Sequence, residues 1–158
     1  MPMNHADCEV FAQRWTEAIV GTSYVAMGRR MLARHLLELT DQLVEGFLAA
    51  EFDPSVGRDV GVAMVESHFT GTETLKETLA LIAEWLPGLP TSAPPRVDVS
   101  SRVAQLVGSL AAGYASALRE RSLDEQDAIY RAGLRARRQA EQALAASEAK
   151  FRAMFTEA

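Results

Sequence analysis

The stretch SLDEQDAIYRAGLRARRQAEQALAASEAKFRAMFTEA, Ser122 to Ala158, decides how the rest of the chain is read. It has no proline and a single glycine, Gly133. Its first residues, Ser122-Leu-Asp-Glu125, form a capping-box signature, in which serine and glutamate side chains satisfy each other's free helix-end amides. The signature predicts a helix starting at Ser122 and running for roughly 54 Å, long for a domain of this size. The last turns carry Phe151, Met154 and Phe155 with no stop signal. That pattern leads to the expectation of a linker helix that leaves its own domain and enters another.

The same stretch carries a seam. Tyr130, Gly133, Arg137, Ala140, Leu144, Ser147, Phe151 and Met154 follow the alternating three- and four-residue spacing of a coiled coil. Pairing two copies in parallel would bury Leu144, Phe151 and Met154, with Tyr130 and Ala140 completing the dimerisation surface. Arg137 and Ser147 make the seam weak. Up to about Leu134 the residues fit a face packed on the chain's own bundle equally well; beyond Ala140 the dimer seam is the better fit.

Upstream, the apolar spacing is helical almost everywhere. A first helix is expected over His5–Val20, with Val10, Phe11, Trp15, Ala18 and Ile19 on its apolar positions. Gly21-Thr22-Ser23 closes it and caps a second helix, about Tyr24–Ala50, striped by Val25, Leu32, Leu36, Leu39, Leu43 and Phe47. Asp53-Pro54 restarts the chain, since aspartate accepts free amides and proline has none to lose. The third helix runs to about His68, and its Gly57 and Gly61 suit a close approach. Thr70-Gly-Thr-Glu73 is a second capping box, opening a fourth helix with Leu75, Leu79, Ile82 and Leu86. Four prolines between Pro87 and Asp98 mark a loop. A fifth helix, about Val99–Arg121, turns Val99, Val103, Leu106, Leu110 and Tyr114 inward, and Gly108 and Gly113 within it call for close helix contact. Leu36, Leu43, Leu79 and Leu110 are expected in the core. The expected fold is all-α: a bundle of about five helices over residues 1–121 and a long projecting C-terminal signalling helix over 122–158.

Composition narrows the function classes. With 158 residues, 48% of them hydrophobic and 23% charged, the chain suits one sizeable core. A net charge of −5 argues against a nucleic-acid partner. No apolar run is long enough for a membrane span, and no signal-peptide core is present. One cysteine, Cys8, cannot form an internal disulfide. A cytoplasmic location is expected.

No catalytic or metal grouping stands out. Phosphate-loop glycines, Cys-x-x-Cys and His-Glu-x-x-His are all absent. Glu73 and Glu77 lie one turn apart on a helix, where carboxylates are ordinarily solvated. Trp15 and Trp85 read as core aromatics and Cys8 as an inert thiol. A haem sensor needs a histidine facing an apolar pocket; His68, flanked by Val65 and Phe69, is the weak candidate, against its reading as a helix-end histidine. No resident cofactor and no metal are expected.

The final residues carry a resemblance. Leu144 to Ala158 resembles the entry into a PAS domain, where a helix bearing Ser-Glu-x-x-Phe-Arg-x-x-Phe leads to the first strand. The matching residues are Ser147, Glu148, Phe151, Arg152 and Phe155. Arg135 to Leu144 is similar to linker helices that join modules in bacterial signalling proteins. The region around His68-Phe-Thr-Gly-Thr-Glu-Thr-Leu75 looks similar to N-terminal regions of actinobacterial PAS–GGDEF–EAL proteins, which make or degrade cyclic di-GMP. The resemblance implies a non-catalytic sensory and dimerisation module feeding downstream PAS and output domains. No GGDEF or EAL motif occurs in these residues, so diguanylate cyclase or phosphodiesterase activity would belong elsewhere. The alternative is a helical sensor of a small ligand, haem among them, feeding a PAS histidine kinase.

Overall fold

The apolar stripes fold into helices. In the computed structural model, residues 5–23, 25–89 and 98–156 are described. They form α1 His5–Ile19, α2 Arg29–Leu48, α3 Ser55–Glu66, α4 Thr72–Trp85, a 3-10 turn Leu86–Gly88, and α5 Val99–Thr156. No strand occurs among the described residues. The fold is all-α. The chain divides into two units, Met1–Leu118 and Arg119–Ala158.

The first unit holds the core. Phe11, Trp15 and Ile19 of α1 meet Leu36, Leu43 and Phe47 of α2, and α3, α4 and α5 close over them with Met64, Ile82, Leu106 and Leu110. These residues recur three or four apart, so each helix buries one stripe. Val10 departs from the expectation and is exposed. On α4 the innermost face is Thr74, Thr78 and Ile82, and Leu79 is half-buried beside it. Thr78 is inward because the buried Trp15 needs an acceptor: its Nε1 donates to Thr78 Oγ1 at 2.8 Å.

Local chemistry sets the helix ends. Ser55 N–H donates to Asp53 Oδ1 at 2.9 Å and its hydroxyl to Oδ2 at 2.6 Å, and these two bonds hold the Asp53 carboxyl below its ordinary pKa. At the other end of α3, Phe69 N–H bonds Met64 O and His68 N–H bonds Val65 O, the paired closure of a Schellman motif. His68 takes the left-handed position there, at φ 68°. Phe69 and Met64, both buried, supply its hydrophobic contact. Before α5, Asp98 Oδ1 accepts Ser100 N–H at 3.0 Å. Arg102 donates to the carbonyls of Phe47 and Ala49 at 3.0 and 3.1 Å, filling acceptors at the end of α2 that no helical amide reaches.

Three capping expectations are corrected. The helix expected from Tyr24 begins at Arg29, with Gly28 extended at φ −66° and ψ 151°. Tyr24 itself lies outside the described residues. Glycine is a poor helix residue, and Val25 and Met27 instead pack half-buried against the core. Ser23 does not cap α2; its Oγ accepts Gly71 N–H at 2.8 Å and bonds Thr74 Oγ1 at 2.8 Å. Thr22 joins the same hydroxyl at 2.6 Å, and Tyr114 OH donates to Gly71 O at 3.2 Å. The Thr70–Glu73 box is therefore not formed. A side chain at Gly71 would run into the Thr22 carbonyl, so the corner closes around glycine and Ser23 supplies the missing acceptor.

The third correction concerns Ser122. It lies inside one uninterrupted helix, so the expected fifth and sixth helices are a single element, α5. No glycine or proline separates Tyr114 from Ala132, and a serine inside a helix costs only a few tenths of a kcal/mol. A capping box needs a break before it. Glu125 instead accepts from Arg121 at 2.9 Å, one turn earlier. The loop expected over Pro87–Asp98 begins inside the 3-10 turn, and residues 90–97 lie outside those described.

The glycine expectation divides. Side chains at Gly57 and Gly61 would strike the α5 backbone at Leu106 and Leu110, and one at Gly113 would strike the Arg58 backbone of α3. Here α3 and α5 meet main chain to main chain. Gly108 faces open space.

Candidate functional site

The site grows out of the exposed part of α5. From Ser122 to Thr156 every described side chain of α5 is exposed. Alanine-rich sequence favours the helix there. Arg131–Asp127 and Arg137–Glu141 pairs, at 3.6 and 2.8 Å, add the small contributions expected one turn apart on an exposed surface. Gly133, in open space, weakens it.

Large apolar side chains stand on this surface. Tyr130 is 67% exposed, Leu144 62%, Phe151 61% and Met154 71%. With exposed Ala140 they are the five residues expected at a dimer seam, and the helical spacing lines them along one face. Sequence reasoning missed part of the surface. Leu123, Ile129 and Phe155 are exposed as well, and Leu134 more modestly. Leu123 stands seven residues before Tyr130, on the seam row itself, while Ile129, Leu134 and Phe155 lie one residue to either side of the seam, where coiled-coil flanks ordinarily carry charge. The Phe151 and Phe155 rings touch, with centroids 4.6 Å apart. Moving a large apolar side chain fully out of water is worth about 1.5–3 kcal/mol, so this face is suited to association.

The first unit offers no comparable site. His68, the candidate haem ligand, is exposed at its left-handed corner, so it does not face an apolar pocket. His35 is the more enclosed histidine. Its Nε2 lies 2.8 Å from Ser67 Oγ, its Nδ1 is 4.0 Å from Glu38, and its ring stacks on Phe69. The order serine–histidine–carboxylate is that of a hydrolytic triad, but the geometry differs. The carboxylate is beyond hydrogen-bond reach, and the His68 and Phe69 amides are committed to Val65 and Met64. No oxyanion donor is left in that turn. The trio ties α2 to the end of α3.

Cys8 is buried, and burial together with Asp41 pushes its thiol up to about 11. It is held as an inert thiol. Trp85 stacks on Phe11 with centroids 4.1 Å apart. Glu73 and Glu77 both serve Lys76. A cavity of about 240 Å³ is lined mainly by Ile19, Val25, Met27, Leu32 and Phe69, with Ser23 and Arg29 its polar side chains. A groove between α1 and α2 is floored by Ala12, Ala33 and Leu37. Neither brings a base to a nucleophile. Among the described residues no group of three acidic, histidine or cysteine side chains could hold a metal ion, and no helix is long and apolar enough to cross a membrane.

Compared with family models, curated proteins and solved structures, the chain matches none.

Proposed function

We propose that this chain is a non-catalytic sensory and dimerisation module of a multidomain bacterial signalling protein. In this reading, two copies pair in parallel through α5 beyond Ser122, and the paired helices carry a change in the bundle to downstream PAS and output domains. The observation that carries it is the uncovered apolar face of Tyr130, Leu144, Phe151 and Met154. Pairing would take that face out of water and so stabilise the helix that bears it. The Ser147–Phe155 resemblance to a PAS entry supplies the direction of transmission. Parallel pairing follows from two-fold symmetry, since identical following domains then leave from the same end.

The downstream activity proposed is synthesis or breakdown of cyclic di-GMP, on the weaker resemblance around His68–Leu75, in the cytoplasm. No step of that chemistry is assigned to residues of this chain. His68 is exposed, which gives the haem alternative less support than the dimer reading. The test is sedimentation velocity and an absorption spectrum of the purified chain. A dimer without a Soret band is expected; a monomer at high micromolar concentration refutes the pairing, and a Soret band restores the cofactor reading.

A further inference from the structure

The uncovered face of α5 contains two seams that share one row of residues, and we propose that a second copy of this chain docks in either. This inference rests on the dimer reading above and adds a switch to it. The shared row is Tyr130, Arg137, Leu144 and Phe151, spaced by seven. On one side it is flanked by Gly133, Ala140, Ser147 and Met154; on the other by Leu134, Glu141, Glu148 and Phe155. Either flank completes the three–four alternation of a coiled coil. Exchanging one for the other turns each helix by about 50°, half the angle between successive residues.

The two flanks oppose each other chemically. The first is small and uncharged, ending in Met154, and takes no carboxylate out of water. The second adds the larger apolar bodies of Leu134 and Phe155 but brings Glu141 and Glu148 to the interface. In the structure the shared row already leans on this second flank. Arg137 Nε donates to Glu141 Oε1 at 2.8 Å, and the Phe155 ring rests against Phe151. Glu141 thus enters the second seam with its counter-charge beside it. Glu148 has no ion-pair partner among the described residues, so its desolvation is what restrains that seam.

A second copy is the occupant that the charges favour. In a parallel pair in the first seam, Glu141 and Glu148 lie beside Ala136 and Ala143 of the other copy, so no carboxylates meet; Arg137 layers on Arg137, each guanidinium held by the Glu141 of its own helix. An antiparallel pair that layers Leu144 on Ala140 sets Glu141 against its own equivalent. Parallel pairing also stacks Leu144 on Leu144 and Phe151 on Phe151, a self-complementary two-fold contact.

Cross-linking reads the seam directly. Cysteine is placed singly in the full chain at Leu144 (shared row), Ser147 (first flank) or Phe155 (second flank), with buried Cys8 retained. Disulfides between copies are formed with copper phenanthroline. The expected result is cross-linking at all three positions, and a several-fold shift from S147C to F155C, normalised to L144C, when Glu148→Gln is added. Cross-linking of L144C and S147C alone, unchanged by Glu148→Gln, overturns the second seam and leaves the dimer standing. Absence of cross-linking at L144C, with a monomer in sedimentation, removes the dimer and this inference together.

Discussion

Replacing both Leu144 and Phe151 by glutamate should turn the proposed dimer into a monomer. The two side chains are 62% and 61% exposed in the single chain, so pairing can cover roughly three-fifths of each. Full burial of such a side chain is worth about 1.5–3 kcal/mol, which leaves about 1–2 kcal/mol apiece. A symmetric dimer contains four of them, so the loss is about 4–7 kcal/mol before any charge repulsion. At about 1.4 kcal/mol per decade this weakens the dimer Kd by roughly three to five decades. Sedimentation velocity over a concentration series measures it. Far-UV circular dichroism of the monomer serves as control, because the first-unit core contains neither residue. A dimer indifferent to both glutamates, or a parent chain that stays monomeric, refutes the reasoning. The face would then need a different occupant.

Other outcomes test the fold. Gly61→Ala should destabilise the bundle by about 1–3 kcal/mol or more, because its methyl group would meet the Leu110 carbonyl and the Tyr114 amide; Gly108→Ala, in open space, should gain up to about 1 kcal/mol, and urea unfolding separates the two. Leu43→Ala and Leu110→Ala should each cost about 2–5 kcal/mol in the same assay, since both side chains are essentially inaccessible; midpoints that barely move would show the stripes misassigned. The Cys8 thiol is raised from 9.0 to about 11 in the folded chain, so the folded state holds its proton longer than the unfolded one. Its contribution is complete below about pH 9 and is lost as pH rises through 11, a change of up to about 3 kcal/mol. The stability difference between the parent and Cys8→Ala should shrink over that window, and a constant difference would remove the assignment.

Periodicity made the core readable, and punctuation less so. Leu36, Leu43 and Leu110 recur on helical stripes, and a stripe needs no knowledge of its neighbour to be recognised as inward. Capping residues do need such knowledge. Ser23 looked like a cap for the helix after it, yet the corner folds so that it serves Gly71, 48 residues on. Ser122 had the right partner at Glu125, but nothing before it breaks the helix. Thr74 and Thr78 were passed over because hydroxyls on a buried face are legible only once Trp15, Thr22 and Ser23 are seen to need partners. The shared spacing of Tyr130, Ala140, Leu144, Phe151 and Met154 was visible in the sequence, and the structure leaves all five exposed. The exposure of Leu134 and Phe155 beside that row was less legible, because flanking positions are ordinarily solvated whatever the row does. His35 and Ser67, 32 positions apart, had no sequence signal at all.

The long α5 helix has one hydrogen-bonding ladder but two kinds of support. Around Leu106 and Leu110 its amides open only when the core does, whereas beyond Ser122 opening needs no more than local unwinding. Deuterium uptake in the unpaired chain should therefore rise steeply along a single helix. Trypsin should find the same boundary, because Arg131, Arg135, Arg137 and Arg138 are exposed beyond it. Whatever covers the apolar face would slow both processes there and leave the bundle unaffected. The helix thus carries its own footprinting record, one residue at a time, of when and where a partner is seated.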